Sequence, residues 1–408
     1  MIQSLTSESL PLTRTIAFSM SPMPKVALLV ETARGYGREV LRGIVRYARL
    51  HGPWAFYVSP GDFVQALPEM KQWGGTGIIA RVETARVAKA ILATRLPVVA
   101  MDLSGAQLAP GSPWLRVSQL TSDSEGAARL AAEHLRERGL QQFGFVGIAG
   151  KIWSDRREQA FCQHMADAGC AAHVYPSGSR RRLPWSREQA ILARWLAGLP
   201  KPLGVMTCND DRGREVLEAC RQAQVRVPED VAVLGVDNDE LLCDLSDPPL
   251  SSVALGAERA GFEAAALLDQ LMAGRVKKPQ RRVAAALGVV ARRSTDVLLH
   301  EDPSVAAALQ FIHDNAGRPI RVYDVTTALA DGRRTLEIRF RRALGRSIGV
   351  EIKRARLERA RRLLRETDLP LPNVAEATGF GSPSYLAAVF HRELGVTPIK
   401  YRAQNRNR

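Results

Sequence analysis

Three carboxylates stand where short apolar runs end: Asp102 after "LPVVAM", Asp210 after "LGVMTCN" and Asp237 after "DVAVLGV". Asn209 precedes the second and Asn238 follows the third. Such groups suit hydroxyl-rich ligands, because a carboxylate accepts O–H bonds and a carboxamide both accepts and donates. A sugar fits them best, with an arginine fork to donate in return and an aromatic ring to cover its C–H face. Each aspartate also has a plainer role open to it, ending a strand or capping a helix. Signs of bond-breaking chemistry are scarce. There is no H-E-x-x-H, no nucleophile elbow in a strand-to-helix setting and no cluster with metal-ligand spacing, and "TARGYG" lacks the spacing of a phosphate loop. Lone histidines such as His134 and His164 read as ordinary helix residues.

These carboxylates need strands and helices to hold them. From Lys25 the chain alternates between the two: strands at 25–31, 54–60, 77–82 and 96–103, with helical periodicity at 37–52 and 83–95. The alternation starts again with strands at 143–149, 171–176, 203–210 and 230–239, and helices at 157–169, 186–199 and 211–224. Near-continuous apolar strands between helices predict parallel sheets covered on both faces. Two consecutive α/β halves predict two lobes and a cleft, with ligands beyond the carboxyl ends of the strands.

With 408 residues, two or three domains are expected. No apolar run is long enough to span a membrane. Residues 1–24 read as a disordered leader, with Met20 or Met23 as possible starts. Five cysteines without a CxxC pair fit free thiols in a reducing cytoplasm. The net charge of +15 is uneven: residues 301–408 hold 20 Lys+Arg against 12 Asp+Glu, +8, and the first 300 residues hold the other +7. That basic end is wholly helical in pattern. Ser304 is the expected cap of a first helix closed by Gly317, after a linker at 295–303.

Near the end of the chain, "LPNVAEATG" predicts a helix burying Val374, Ala375 and Thr378, with Gly379 at the turn and Phe380 plugging the junction. Ser382 and Pro383 then start a second helix with Leu386, Val389 and Phe390 inside. Helix, glycine turn, helix in a basic setting is a helix-turn-helix. A similar unit precedes it, with a break at Asp331-Gly332 and Leu336 and Phe340 inside, and a helix from about 350 to 366 joins the two. On "RTLEIRFRRALGRSIGVEIKRARLERARRLL" and "ATGFGSPSYLAAVFHRELGVTPIKYR", residues 304–403 resemble the AraC/XylS DNA-binding domain. The resemblance implies two readers in successive major grooves of operator DNA. Arg333, Arg334, Thr335 and Arg339 are the implied contacts of the first, Ser382 and Ser384 of the second. The chain departs from the family at Ala330, Asp331 and Gly332, where glycine, an apolar residue and serine are usual, and at Ala387 and Ala388, often polar or basic.

Residues 25–293 resemble the LacI/GalR sensor, itself similar to periplasmic sugar-binding proteins, on "GYGREVLRGIVRYA", "RREQAF", "VPEDVAVLGVDNDE" and "LSSVALGAERAGFEAAALLDQLM". This fused arrangement resembles the bacterial regulators of xylose operons. The resemblance implies a periplasmic-binding-protein-like α/β sensor over 25–294 and an all-α reader over 304–408. Arg157 then matches the arginine that binds sugar hydroxyls, and Asp102, Asp210 and Asp237 match acidic pocket positions. Trp153 would be the platform for a sugar ring, with Tyr36 and Arg38 where the first lobe closes. The function implied is a sugar-responsive transcription regulator, an activator of pentose use. It would work as a cytoplasmic homodimer with a pentose such as xylose, operator DNA and RNA polymerase as partners, and with no cofactor, metal or membrane. The competing expectation is an α/β enzyme acting on a sugar or nucleotide, with the basic tail as a nucleic-acid anchor.

Overall fold

The computed structural model describes residues 23–58, 67–176, 184–297, 302–329 and 332–406. The expected leader, except Met23 and Pro24, therefore lies outside the described residues, as do residues 298–301 of the linker and Ala330 and Asp331 of the first turn. Twelve strands are described: β1 (Lys25–Leu29), β2 (Ala55–Val58), β3 (Gly77–Arg81), β4 (Val98–Met101), β5 (Ser118–Ser122), β6 (Gln142–Val146), β7 (Ala172–Val174), β8 (Leu203–Thr207), β9 (Val231–Asp237), β10 (Ser251–Leu255), β11 (Arg281–Ala284) and β12 (Ala286–Val290). They form two six-stranded sheets, in the orders β11-β5-β4-β3-β1-β2 and β12-β10-β9-β8-β6-β7. Every pairing is parallel except β10 with β12. The central strands are buried along their length, which is why they read as unbroken apolar runs.

The lobes are not the consecutive halves that alternation predicted. The chain crosses between the sheets after β5, after β10 and between β11 and β12. The crossings are bonded side by side: Asp123 N–H donates to Ala284 O (2.9 Å) and Gly256 N–H to Ala285 O (2.8 Å). The strand β5 ("SQLTS") is too polar to stand out, and β11 and β12 share one unbroken apolar run, "VAAALGVVA" (283–291), which hides the crossing between them.

Beyond residue 302 every described element is helical. The helix Pro303–Asp314 is capped by Asp302, whose carboxylate accepts from Ser304 N–H at 3.0 Å. Ser304 was the expected cap; Pro303, pre-shaped for a first helical turn, starts the helix earlier. Its last turn closes on Asn315, short of Gly317. Two small cores follow. The first gathers Val325, Leu336 and Phe340, the second Val374, Phe380, Leu386 and Phe390. The helix Ile348–Glu366 serves both: Ile348, Ile352 and Ala355 face the first, and Leu357, Ala360 and Leu364 the second. The units echo each other at a fixed offset. Leu336 and Leu386, Phe340 and Phe390, and Gly345 and Gly395 each stand 50 residues apart.

Candidate functional site: an interlobe cleft and a paired DNA reader

Strand ends from both sheets meet in one cleft, lined by Glu31, Tyr36, Arg81, Asp102, Trp153 and Arg157, with Arg34, Ser122, Asn209 and Asp237 completing it. Its empty space, open to solvent on one side, is about 330 Å³. The backbone is bent to make it. Asp102 (φ 52°), Asp237 (φ 106°) and Asn238 (φ 51°) all take left-handed conformations. Non-glycine residues rarely do so outside functional turns.

Two arginines organise the charges. Arg81, the last residue of β3, pairs with Asp102 at 2.8 Å and with Glu31, and its guanidinium lies 5.7 Å from the centre of the Tyr36 ring. Arg157, on the helix Ile152–Asp167, lies 3.5 Å from Asp237 and 3.3 Å from Ser122 Oγ, and donates to Cys208 O. Its guanidinium stands 5.4 Å from the centre of the Trp153 ring. Burial pushes the Asp237 carboxyl up to about 6, against the pull of Arg157 and Arg81. Burial also raises Glu31, again opposed by Arg81. Glu31 Oε1 has its ion pair with Arg81, whereas Glu31 Oε2, Arg81 Nε and Arg157 Nε are buried without a hydrogen-bond partner. Such groups are costly in a protein interior unless something polar meets them.

Of the expected sugar residues, Tyr36, Asp102, Trp153, Arg157 and Asp237 come together in this cleft. Asp210 and Arg38 do not line it. Asp210 is buried behind it, accepting from Ser252 Oγ (2.6 Å) and Asp239 N–H (2.7 Å), so it holds the turn that carries Asp237. Burial, then the charge of Asp237, keeps its carboxyl well above the usual range. Arg38 bridges the lobes at the rim, 2.8 Å from Asp239. Arg34 does the same with Asp211 (2.8 Å), and Gly35 N–H donates to Asp239 at 2.6 Å. A Cβ on Gly35 would lie 2.8 Å from Asp239 Cβ, so only glycine admits this contact. Glu31, Arg34 and Arg81 escaped the sequence reading. A usable signal existed for one of them: Arg81 is a charge closing the fully buried strand "GIIAR".

The reader presents two helices on equivalent turns, Arg333–Leu344 and Pro383–Leu394. Arg333, Arg334, Thr335 and Arg339 are exposed. Arg333 is paired with Glu337 (3.2 Å), while Arg339 lies 3.7 Å from Asp302 and 3.3 Å from Ser304 Oγ. Ser384 is exposed. Ser382 is the helix cap, accepting from Tyr385 N–H at 3.2 Å, so its oxygen already serves the fold. Gly379 has φ 66°, as the turn requires, and its missing Cβ leaves room for Arg318 O. The stretch "GRSIG" (345–349) has the spacing of a nucleophile elbow. It joins two helices instead, and Ser347 Oγ caps the second, accepting from Val350 N–H at 3.3 Å.

A polar cleft between woven lobes, followed by a tandem helix-turn-helix, defines a ligand-sensing transcription regulator. Family comparisons agree along the chain: residues 25–113 match the XylR N-terminal domain, 132–295 a periplasmic binding protein-like domain and 325–404 a helix-turn-helix domain. The chain belongs to the xylose operon regulatory protein family. It is 33% identical to that protein of Escherichia coli K12 over 93% of this chain and 97% of the relative, and 31% identical to that of Haemophilus influenzae over 93% and 98%. A solved structure of the xylose-binding transcription activator XylR superposes with a TM-score of 0.66 at 31% identity, covering 93% of this chain and 98% of that one. These relatives regulate transcription, and the enzyme expectation is set aside on that ground. Among the described residues, no helix is long and apolar enough to cross a membrane.

Proposed function

We propose that the interlobe cleft binds a pentose such as xylose, and that this binding governs how residues 304–408 engage operator DNA. Residues 25–294 act as the sensor and 295–303 as the linker. The carrying observation is the set of buried polar atoms left without partners on Glu31, Arg81 and Arg157 around one cleft. Sugar hydroxyls supply both the donors and the acceptors these groups lack. Asp102 and Asp237 accept from the sugar, Arg157 donates, and Trp153 and Tyr36 cover its apolar face. In the reader, Arg334 and Thr335 with Ser384 make the principal DNA contacts, Arg333 and Arg339 joining after exchanging their present partners. The protein acts in the cytoplasm as a homodimer on repeated half-sites and activates transcription with RNA polymerase as its partner; the solved relative is named a xylose-binding transcription activator.

Calorimetry with xylose, arabinose, ribose and glucose tests the first step; xylose is expected to bind best. Operator affinity measured with and without xylose tests the second; tighter binding with the sugar is expected. No binding by any pentose would sink the sensor reading, and a monomer by light scattering at every concentration, with and without DNA, would sink the dimer.

A further inference from the structure

The helix Arg333–Leu344 carries five arginines, yet the residue it turns furthest from its core is an isoleucine. Leu336 and Phe340 are completely buried. At about 100° per residue, Ile338 sits roughly 200° around the helix from Leu336. It is 59% exposed. Arg334 and Arg342 stand one turn to either side of it and Arg341 adjoins it, all exposed. Unlike Arg333 and Arg339, these three make no ion pair among the described residues.

A lone exposed apolar residue on an ordinary surface calls for no explanation. This one occupies the middle of an arginine-lined face that a helix-turn-helix turns toward the major groove. The apolar group on offer in that groove is the 5-methyl of thymine. In the second unit the equivalent position, 50 residues on, is Ala388, which is also exposed and also apolar.

We propose that Ile338 is a specificity-determining residue that packs against a thymine methyl, with Arg334 and Arg342 holding the DNA on either side. The inference rests on the proposed placement of this helix in the major groove.

Selection from random DNA with the full chain and D-xylose supplies a binding site. Each thymine of that site is then replaced singly by deoxyuridine, which removes the methyl and keeps the base pair. Losing one buried methyl corresponds to about a fourfold loss of affinity. One thymine is expected to show it. Ile338→Ala, at an exposed position, is expected to abolish that sensitivity at the same thymine and to leave affinity for random DNA unchanged. A site in which no thymine responds, or a response that survives Ile338→Ala, overturns the inference while leaving the groove placement standing. Failure to select any site would overturn the placement as well, so the two failures are distinguishable.

Discussion

Arg157 ties the end of β5, through Ser122, to the end of β8, through Cys208 O, and so joins strand ends of both sheets at the cleft. Arg157→Ala should weaken sugar binding by about 1.5–3 kcal/mol, the range for hydrogen bonds to a charged group; titration calorimetry measures it directly. The same change removes a charge that lowers the Asp237 pKa, so that carboxyl should titrate still higher in the variant. In the parent protein Asp237 titrates near 6, above its ordinary 3.8. The folded protein thus keeps this proton where the unfolded chain has released it. Its contribution to stability therefore falls as the pH rises from about 4 to about 6, and is level above that window. Sugar affinity runs the other way, because a hydroxyl donates to the carboxylate form. Affinity should be flat above about pH 7 and fall below about 6, approaching tenfold per unit. Asp237→Asn should remove that slope, and a slope that persists would locate the proton elsewhere. The carboxylates at strand ends were legible because they interrupt apolar runs. Glu31 and Arg81 were not, because their partnership joins two strands that are neighbours only in the folded sheet.

The helices of the second helix-turn-helix were legible almost to the residue, since caps, glycines and apolar period agree there, whereas the first helix of the reader starts before Ser304 and closes before Gly317. Val374, Ala375 and Thr378 are buried, Ser382 caps, and Gly395 closes its helix at φ 69°. The strands that complete the sensor sheets were not. β5 is polar, and β11 and β12 are separated by a single residue although they belong to different sheets. Only tertiary pairing defines such elements. The glycine turn of the second unit is the element most exposed to a single change. A left-handed backbone costs a non-glycine residue roughly 1–2 kcal/mol, and a Cβ on Gly379 would stand 2.3 Å from Arg318 O. Gly379→Ala should therefore lower the melting temperature of the reader and its DNA affinity together. Calorimetric scans with and without xylose would check this, since the sensor transition should keep both its position and its response to the sugar.

At the scale of the whole molecule, sensor and reader meet where Asp296 and His313 approach within 2.9 Å. Burial disfavours charge on His313, but the bond to Asp296 and the charges of Asp296 and Glu351 together outweigh it, and the pKa is raised overall. On the sensor side, Arg138 donates to Thr295 O (2.5 Å) and His134 Nε2 lies 2.9 Å from Thr295 Oγ1, so the residue before Asp296 is anchored to the second lobe. Xylose should change operator affinity by about 5–150-fold, and operator should change xylose affinity by the same factor. His313→Ala should reduce that shared factor while leaving sugar affinity in the absence of DNA unaltered. Binding isotherms for each ligand, with and without the other, test both statements, and equal values throughout would mean that the halves are merely tethered.

The side-by-side crossings between the lobes also decide what can be exchanged. Each lobe is assembled from chain segments lying on both sides of the other, so no single cut in the gene releases either one intact. The sensor as a whole, in contrast, enters and leaves the reader through one strand of chain. A chimera that grafts a different two-lobed sensor ahead of residue 302 has only that junction to restore, and the Asp296–His313 contact marks what it must restore there. Recombination inside the sensor would instead have to be matched at three places at once. New ligand preferences are therefore more accessible by point changes in the cleft, or by exchange of the entire sensor, than by shuffling its lobes.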